Sequence, residues 1–336
     1  MKTITILILL GVFLLSAISG CIAEEKSATN QTTGENLKKT YEGKKILYID
    51  SYHEGYEWSD GVTRGIESVL NGTGVELKIF SMDTKRNGSE AFGIQAGLRA
   101  KSVIEEFDPD VVIACDDNAF QYLIKPYYRD ASLPFVFCGI NWDVSLYGAP
   151  YNNTAGMIEV SLTPQLISYL KEYSKGNRIG YLSADTETER KNAYYYNKLF
   201  NINFTKIYYV NTQKEWNEAF LKLQGEVDVL IFENNAGIND WSDKEAEGLA
   251  LNNTKIPVGT TNPWIMQSSL IGMTKIPEEQ GEWSAHTALQ ILNGIRPSDI
   301  SMVTNKKGKL YVNLKIAEKL GVVINPDLLK NAIIIR

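Results

Sequence analysis

The residues of this chain best equipped for chemistry fall directly after short apolar runs. Asp116-Asp117-Asn118 follows DVVIAC, Ser51-Tyr52-His53 follows ILYID with Trp58 shortly behind, and Asn141 follows PFVFCGI. Further on, Asp185 follows RIGYLSA, Glu233-Asn234 follows DVLIF, and Asn262-Pro263-Trp264 follows PVGTT. Carboxylates and amides give directional hydrogen bonds, while Tyr and Trp give a wide flat surface with few rotors. That mixture suits capture of a small polar ligand with a flat face. Each residue also has a plainer use. Asn118 and Asp185 fit helix N-caps, a lone His53 is more often structural than a proton carrier, and Trp58 could anchor a helix in the core.

Two neighbouring carboxylates raise the question of catalysis. Adjacent residues in a strand or turn point apart, so Asp116 and Asp117 are not expected to act on one bond. One can face a cleft and hold an ammonium or hydroxyl while the other caps the next helix, and Glu233 is a second counter-charge from the other half of the chain. No G-x-S-x-G, phosphate-binding loop or dinucleotide fingerprint occurs. No catalytic residue, cofactor or enzyme activity is therefore expected. With only His53 and His286, no C-x-x-C and no H-E-x-x-H, no metal site is expected either. Cys115 and Cys138 sit inside apolar runs and are read as two buried free thiols rather than a disulfide between neighbouring strands.

The elements that must position these residues are legible as an alternation. Strand-like runs at 46–50, 75–81, 110–115, 135–138, 178–182, 206–210, 228–232 and 257–260 are rich in β-branched and aromatic residues. Stretches of helical period at 59–70, 89–106, 118–128, 164–173, 189–200, 213–223, 243–251 and 277–292 separate them. Near-continuous apolarity of the strands means burial on both faces, as in parallel sheets covered by helices. The alternation restarts near Arg178 after an irregular stretch from Asn141 to Thr163. The expected fold class is α/β: two doubly wound parallel-sheet lobes hinged around a cleft. Ligands in such sheets bind beyond the carboxyl ends of the strands, where helix N-termini converge.

The ends of the chain place it in the cell. An apolar run from Ile4 ends in Ile18-Ser19-Gly20-Cys21, and small residues before a cysteine resemble a lipobox. Residues 1–20 are read as a signal peptide and Cys21 as the lipidated first residue of an extracytoplasmic chain anchored to the membrane. Residues 21–45 hold little to bury and are read as a flexible tether. The N-terminal lobe is expected over 46–160, joined by part of 275–300, the C-terminal lobe over 161–274, and a lobe-crossing tail over 301–336. A formal charge of −6 without basic clusters argues against a nucleic-acid partner.

SYHEGYEW with Gly65, the EEQG to NGIRP helix, and the closing YVNLKIAEKLGV with PDLLKNA resemble the ABC transporter substrate-binding family of type I periplasmic-binding-protein fold. The resemblance spans nearly all of 45–336. It implies a monomeric two-lobed clamp that closes on a small-molecule ligand and delivers it to an ABC permease in the membrane. Some relatives bind aromatic amino acids, and an amino acid is one ligand class it implies. A surface-tethered sensory binder coupled to a signalling receptor is the alternative, with an Asp/Glu-dependent hydrolase behind it.

Overall fold

The computed structural model describes residues 41–336. The expected signal peptide, the expected lipidation at Cys21 and the expected tether as far as Thr40 lie outside the described residues. The last expected tether residues are already folded: Tyr41 N–H donates to Thr73 O at 2.7 Å, and its hydroxyl accepts from Asn293 Nδ2 at 2.7 Å.

The first sheet is built from β1 (Lys45–Asp50), β2 (Glu76–Ser81), β3 (Val111–Cys115), β4 (Phe135–Asn141) and β5 (Thr154–Glu159), with the short β11 (Val303–Thr304). Its order is β11-β5-β4-β3-β1-β2, parallel throughout. The second sheet contains β6 (Ile179–Ala184), β7 (Lys206–Val210), β8 (Val229–Phe232), β9 (Val258–Thr260), β10 (Ile271–Lys275), β12 (Gly308–Asn313) and β13 (Ala332–Ile335). Its order is β13-β12-β10-β9-β8-β6-β7, parallel except where β10 meets β12. Strands β3, β5, β6 and β8 are buried along their whole length, which explains the unbroken apolarity of β3 (VVIAC) and β8 (VLIF).

On one face of the first sheet, Ile46, Tyr48, Val111 and Ile113 pack under α1 (Glu57–Leu70) and α9 (Pro277–Leu292). On the other, Leu47, Ile49 and Val112 meet Ala96, Ala100 and Ile104 of α2 (Glu90–Phe107). Helices α1 and α9 touch backbone to backbone. A Cβ on Gly281 would lie 2.1 Å from Val62 O, and one on Gly65 would lie 2.3 Å from Glu278 O. In the second lobe, α6 (Glu187–Phe200), α7 (Gln213–Glu226) and α8 (Asp243–Asn253) start on Thr186, Thr212 and Ser242. Each cap side chain accepts the N–H of a glutamate three residues on, in S/T-x-x-E order.

The chain passes between the sheets three times among the described residues: from β5 into α5 (Thr163–Lys171), from β10 into α9, and from β11 into β12. The crossings are tied to one another. Asn305 Oδ1 accepts from Val160 N–H at 2.7 Å while its Nδ2 donates to Val160 O at 3.1 Å. The Glu279 carboxylate takes the N–H groups of Lys306 and Lys307 at 2.7–3.0 Å.

Two expectations about this region need correction. The irregular stretch from Asn141 to Thr163 contains a buried strand, β5, whose TAGMIE sequence has little β-branched character to announce it. The two thiols are not free. Cys115 and Cys138 are register partners on neighbouring parallel strands and form a disulfide, with Cα atoms 4.7 Å apart.

Candidate functional site

The strand ends of the two lobes face each other across a cavity of about 550 Å³. The first lobe lines it with Tyr52, Tyr56, Trp58, Asp116, Asn141 and Glu159; the second contributes Thr261, Trp264, Thr274, Lys275, Lys309 and Tyr311. Local sequence explains how several arrive there. Gly55, at φ +86°, lets the chain turn after β1, and α1 then begins at Glu57. Trp58 is thereby held at a helix N-terminus facing the cleft.

Asp116 is the most unusual of these groups. Its backbone lies in the left-handed region at φ +71°, and the side chain is only 3 % exposed. Oδ1 accepts from Trp58 Nε1 at 3.2 Å, while Oδ2 is buried with no hydrogen-bond partner. Gly139 runs alongside, also at φ +71°, and a Cβ there would stand 2.7 Å from Asp116 Oδ1, so a glycine is required. The Cys115–Cys138 disulfide staples β3 to β4 one residue before both positions. Burial drives the Asp116 pKa well up, and the neighbouring charges of Glu159, Asp50 and Asp117 add to it.

The cations around the cavity leave Asp116 unmatched. Lys275, reaching from β10, is hydrogen-bonded to Glu159 across the lobes. Arg64 pairs with Glu278 at 2.6 Å. Lys85 sits over the rings of Tyr52 and Tyr56, 5.0 and 4.9 Å from their centroids. The site therefore offers a desolvated carboxylate beside an indole, ammonium groups at the rim, and a second indole, Trp264, that is 56 % exposed from the other lobe.

Behind the second-lobe wall, Glu233 Oε1 accepts from Thr261 Oγ1 at 2.6 Å and Tyr196 OH at 2.9 Å, and Oε2 has no partner. Burial, with a smaller push from Glu189, raises its pKa from 4.5 to about 7. Asp50 and Asp116 move the same way through burial. A carboxyl group whose folded pKa lies above its unfolded value disfavours the fold once ionised, so Glu233 costs stability as pH rises from 4.5 through about 7, and Asp50 and Asp116 act with the same sign. The thermal midpoint is expected to be higher at pH 5 than at pH 8. Glu233→Gln should remove part of that slope, as read by calorimetry at both pH values. The carboxylates whose pKa values are lowered, such as Asp110 and Asp228, stay ionised across that window and leave the sign unchanged.

Of the residues singled out from sequence, Tyr52, Trp58, Asp116, Asn141 and Trp264 line the cavity. The rest hold its walls or lie elsewhere. Ser51 is buried, donating to Cys115 O at 2.5 Å and accepting from Ala119 N–H, so it and neither aspartate serves the helix start at α3 (Asp116–Ala119). Asp117 caps nothing; it accepts from Tyr147 OH at 2.6 Å and from Asn141 Nδ2 at 2.9 Å. Asn118 is inside the helix and donates to Thr84 Oγ1, and Asp185 pairs with Arg190 while Thr186 takes the cap. His53 is absent from the cavity lining and meets Arg86 Nη2 at 2.8 Å. Asn234 donates to Glu189 Oε1 at 3.0 Å, and Asn262 donates to Glu233 O.

Sequence reasoning passed over Tyr56, Lys85, Glu159, Lys275, Lys309 and Tyr311. Glu159 and Lys275 end strands that the alternation did not reveal, and Lys309 and Tyr311 come from β12, an antiparallel strand more than 30 residues after its neighbour β10. Tyr56 was in plain view, two residues before Trp58 in SYHEGYEW.

A family model described as ABC transporter substrate binding protein matches residues 57–335. The chain belongs to that family. Solved structures agree on the type I periplasmic-binding-protein fold. A ligand-free, open substrate-binding protein with adhesive properties from Clostridium difficile superposes with a TM-score of 0.66 at 18 % identity, covering 87 % of this chain and 99 % of that one. An ABC domain from Streptococcus pneumonia in complex with L-Trp gives 0.51 at 18 %, covering 87 % and 100 %. A periplasmic ribose ABC transporter protein from Conexibacter woesei gives 0.53 at 13 %, covering 85 % and 97 %. No curated protein matches the sequence. At these identities the superpositions establish the fold and leave this substrate-binding protein's ligand to its own residues.

Proposed function

We propose that this substrate-binding protein captures a small molecule carrying a protonated amine and a flat apolar face, an aromatic amino acid being the best fit, and presents it to an ABC permease. The observation that carries the reading is Asp116, a residue of the cavity wall whose carboxyl accepts from Trp58 Nε1 through Oδ1 and keeps a buried Oδ2 without a partner. A desolvated carboxylate without a cation is costly until a ligand brings the charge. Trp58 and Trp264 offer flat surfaces from opposite lobes, and Lys85 and Lys309 supply positive charge for a ligand carboxylate. The L-Trp complex of the streptococcal relative is in keeping with such a ligand. Contacts from both lobes are complete only when the lobes are together, so ligand shifts the population toward closure. The lipobox reading of Cys21 supports a chain tethered by lipid outside the cytoplasm.

A thermal-shift screen against L-amino acids, simple amines, nucleosides and sugars tests the ligand class. A cognate ligand at 100 times its dissociation constant adds about 2.7 kcal/mol of stability. The expected hits are aromatic L-amino acids, and Trp264→Ala should cut the shift without lowering the stability of the unliganded protein, since its ring is largely exposed. A response confined to neutral sugars or nucleosides sinks the amine reading.

A further inference from the structure

The three crossings are not the whole connection between the lobes. The turn after β4 in the first lobe sends Trp142 into the second, where its indole is 8 % exposed. The ring stacks on Tyr195 at 5.5 Å with an interplanar angle of 2°, and meets Tyr196 edge-on at 5.4 Å. Its Nε1 donates to Asn192 Oδ1 at 3.0 Å, and next door Asp143 pairs with Lys198 at 3.0 Å. All of these partners are on α6. The backbone of Trp142 lies at φ +67°, a conformation that bulky residues keep only when their surroundings enforce it.

The arm is fixed at its root as well. Asn141 and Tyr147 both bond Asp117, one residue from Asp116. On the far side, Asn192 Nδ2 donates to Glu189 Oε2 at 3.2 Å, and Tyr196 OH donates to Glu233, which also holds the cavity residue Thr261. Tyr196 further sits against the Ser161 and Thr163 hydroxyls of the first crossing. The plug is therefore beside the hinge, where lobe rotation displaces atoms least.

We propose that Trp142 is a positioning residue, a non-covalent fourth hinge element that stays docked while the lobes rotate and sets the angle at which the two cavity walls meet. The function it serves rests on the ligand-binding reading, but its effect on lobe geometry does not need a ligand. The test is accordingly made on ligand-free protein. Spin labels on exposed positions of α2 and α7 report the inter-lobe distance distribution by electron–electron resonance. Trp142→Ala should widen the distribution about twofold and lengthen its mean, whereas Trp142→Phe, which keeps the stacking, should stay near wild type. If Trp142→Ala does not fold, Tyr195→Ala removes the same stacking surface from the other side and should widen the distribution likewise. An unchanged distribution in the folded alanine variant overturns the proposal, as does equal widening in Trp142→Phe. Failure of every candidate ligand to bind, with the widening present, would count against the ligand reading alone.

Discussion

Asp116→Asn should weaken binding of an amine-bearing ligand by about 100-fold while leaving the fold as stable as wild type or more so. Losing one partner of a buried charge pair costs about 2–5 kcal/mol of binding. Asparagine keeps the volume, tolerates the left-handed backbone at φ +71° and still offers an oxygen to Trp58 Nε1. It also removes a carboxylate whose ionised form burial disfavours, so stability at pH 8 should rise or hold. The opposite signs separate a ligand contact from a structural role, and calorimetric titration with L-tryptophan beside a urea melt reads both. The wild-type pH profile follows from the same group. Burial and the neighbouring carboxylates raise the Asp116 pKa, while an incoming ammonium would favour the ionised form, so affinity should fall as pH drops through the raised pKa. A pH-independent affinity, or equal affinity in Asp116→Asn, would remove the amine from the proposal.

Gly281→Ala should destabilise the protein by about 2–3 kcal/mol, although alanine is the better helix former by about 1 kcal/mol. The added methyl would stand 2.1 Å from Val62 O, and backbone on a facing helix cannot swing aside as a flexible side chain can. Gly248 on α8 is the contrasting site, where a Cβ would meet nothing within 4 Å. Gly248→Ala should therefore stabilise, by about 0.5–1 kcal/mol. Urea midpoints at constant slope measure both changes. The first substitution should also reach the ligand, because α1 carries Trp58 and α9 leaves the second crossing. A destabilisation in Gly281→Ala no larger than in a random surface variant would mean that α1 and α9 can part without cost.

How far the sequence alone reached depended on whether the signal was local. Strand-like runs and helical periods are properties of short windows, so β1 to β4, β6 to β9 and the long helices were legible, and the strand ends pointed to Tyr52, Trp58, Asp116, Asn141 and Trp264. The apolar runs around Cys115 and Cys138 showed burial correctly. Their pairing depends on the register of two strands 23 residues apart, which no window contains.

The sequence by itself determined the α/β class, the two-lobed family resemblance and the residues that leave the strand ends, because hydrophobic period and cap chemistry act over a few residues. Tertiary structure alone decided which of those residues face the cavity. Asp117 and Asp116 are neighbours of the same type, yet the first is consumed by Asn141 and Tyr147 while the second keeps an unpartnered oxygen beside Trp58. It also decided that Trp142 leaves its own lobe for the other. Side-chain partners that are tens of residues apart are chosen by how sheets and crossings bring them together, and that information is not written at either position.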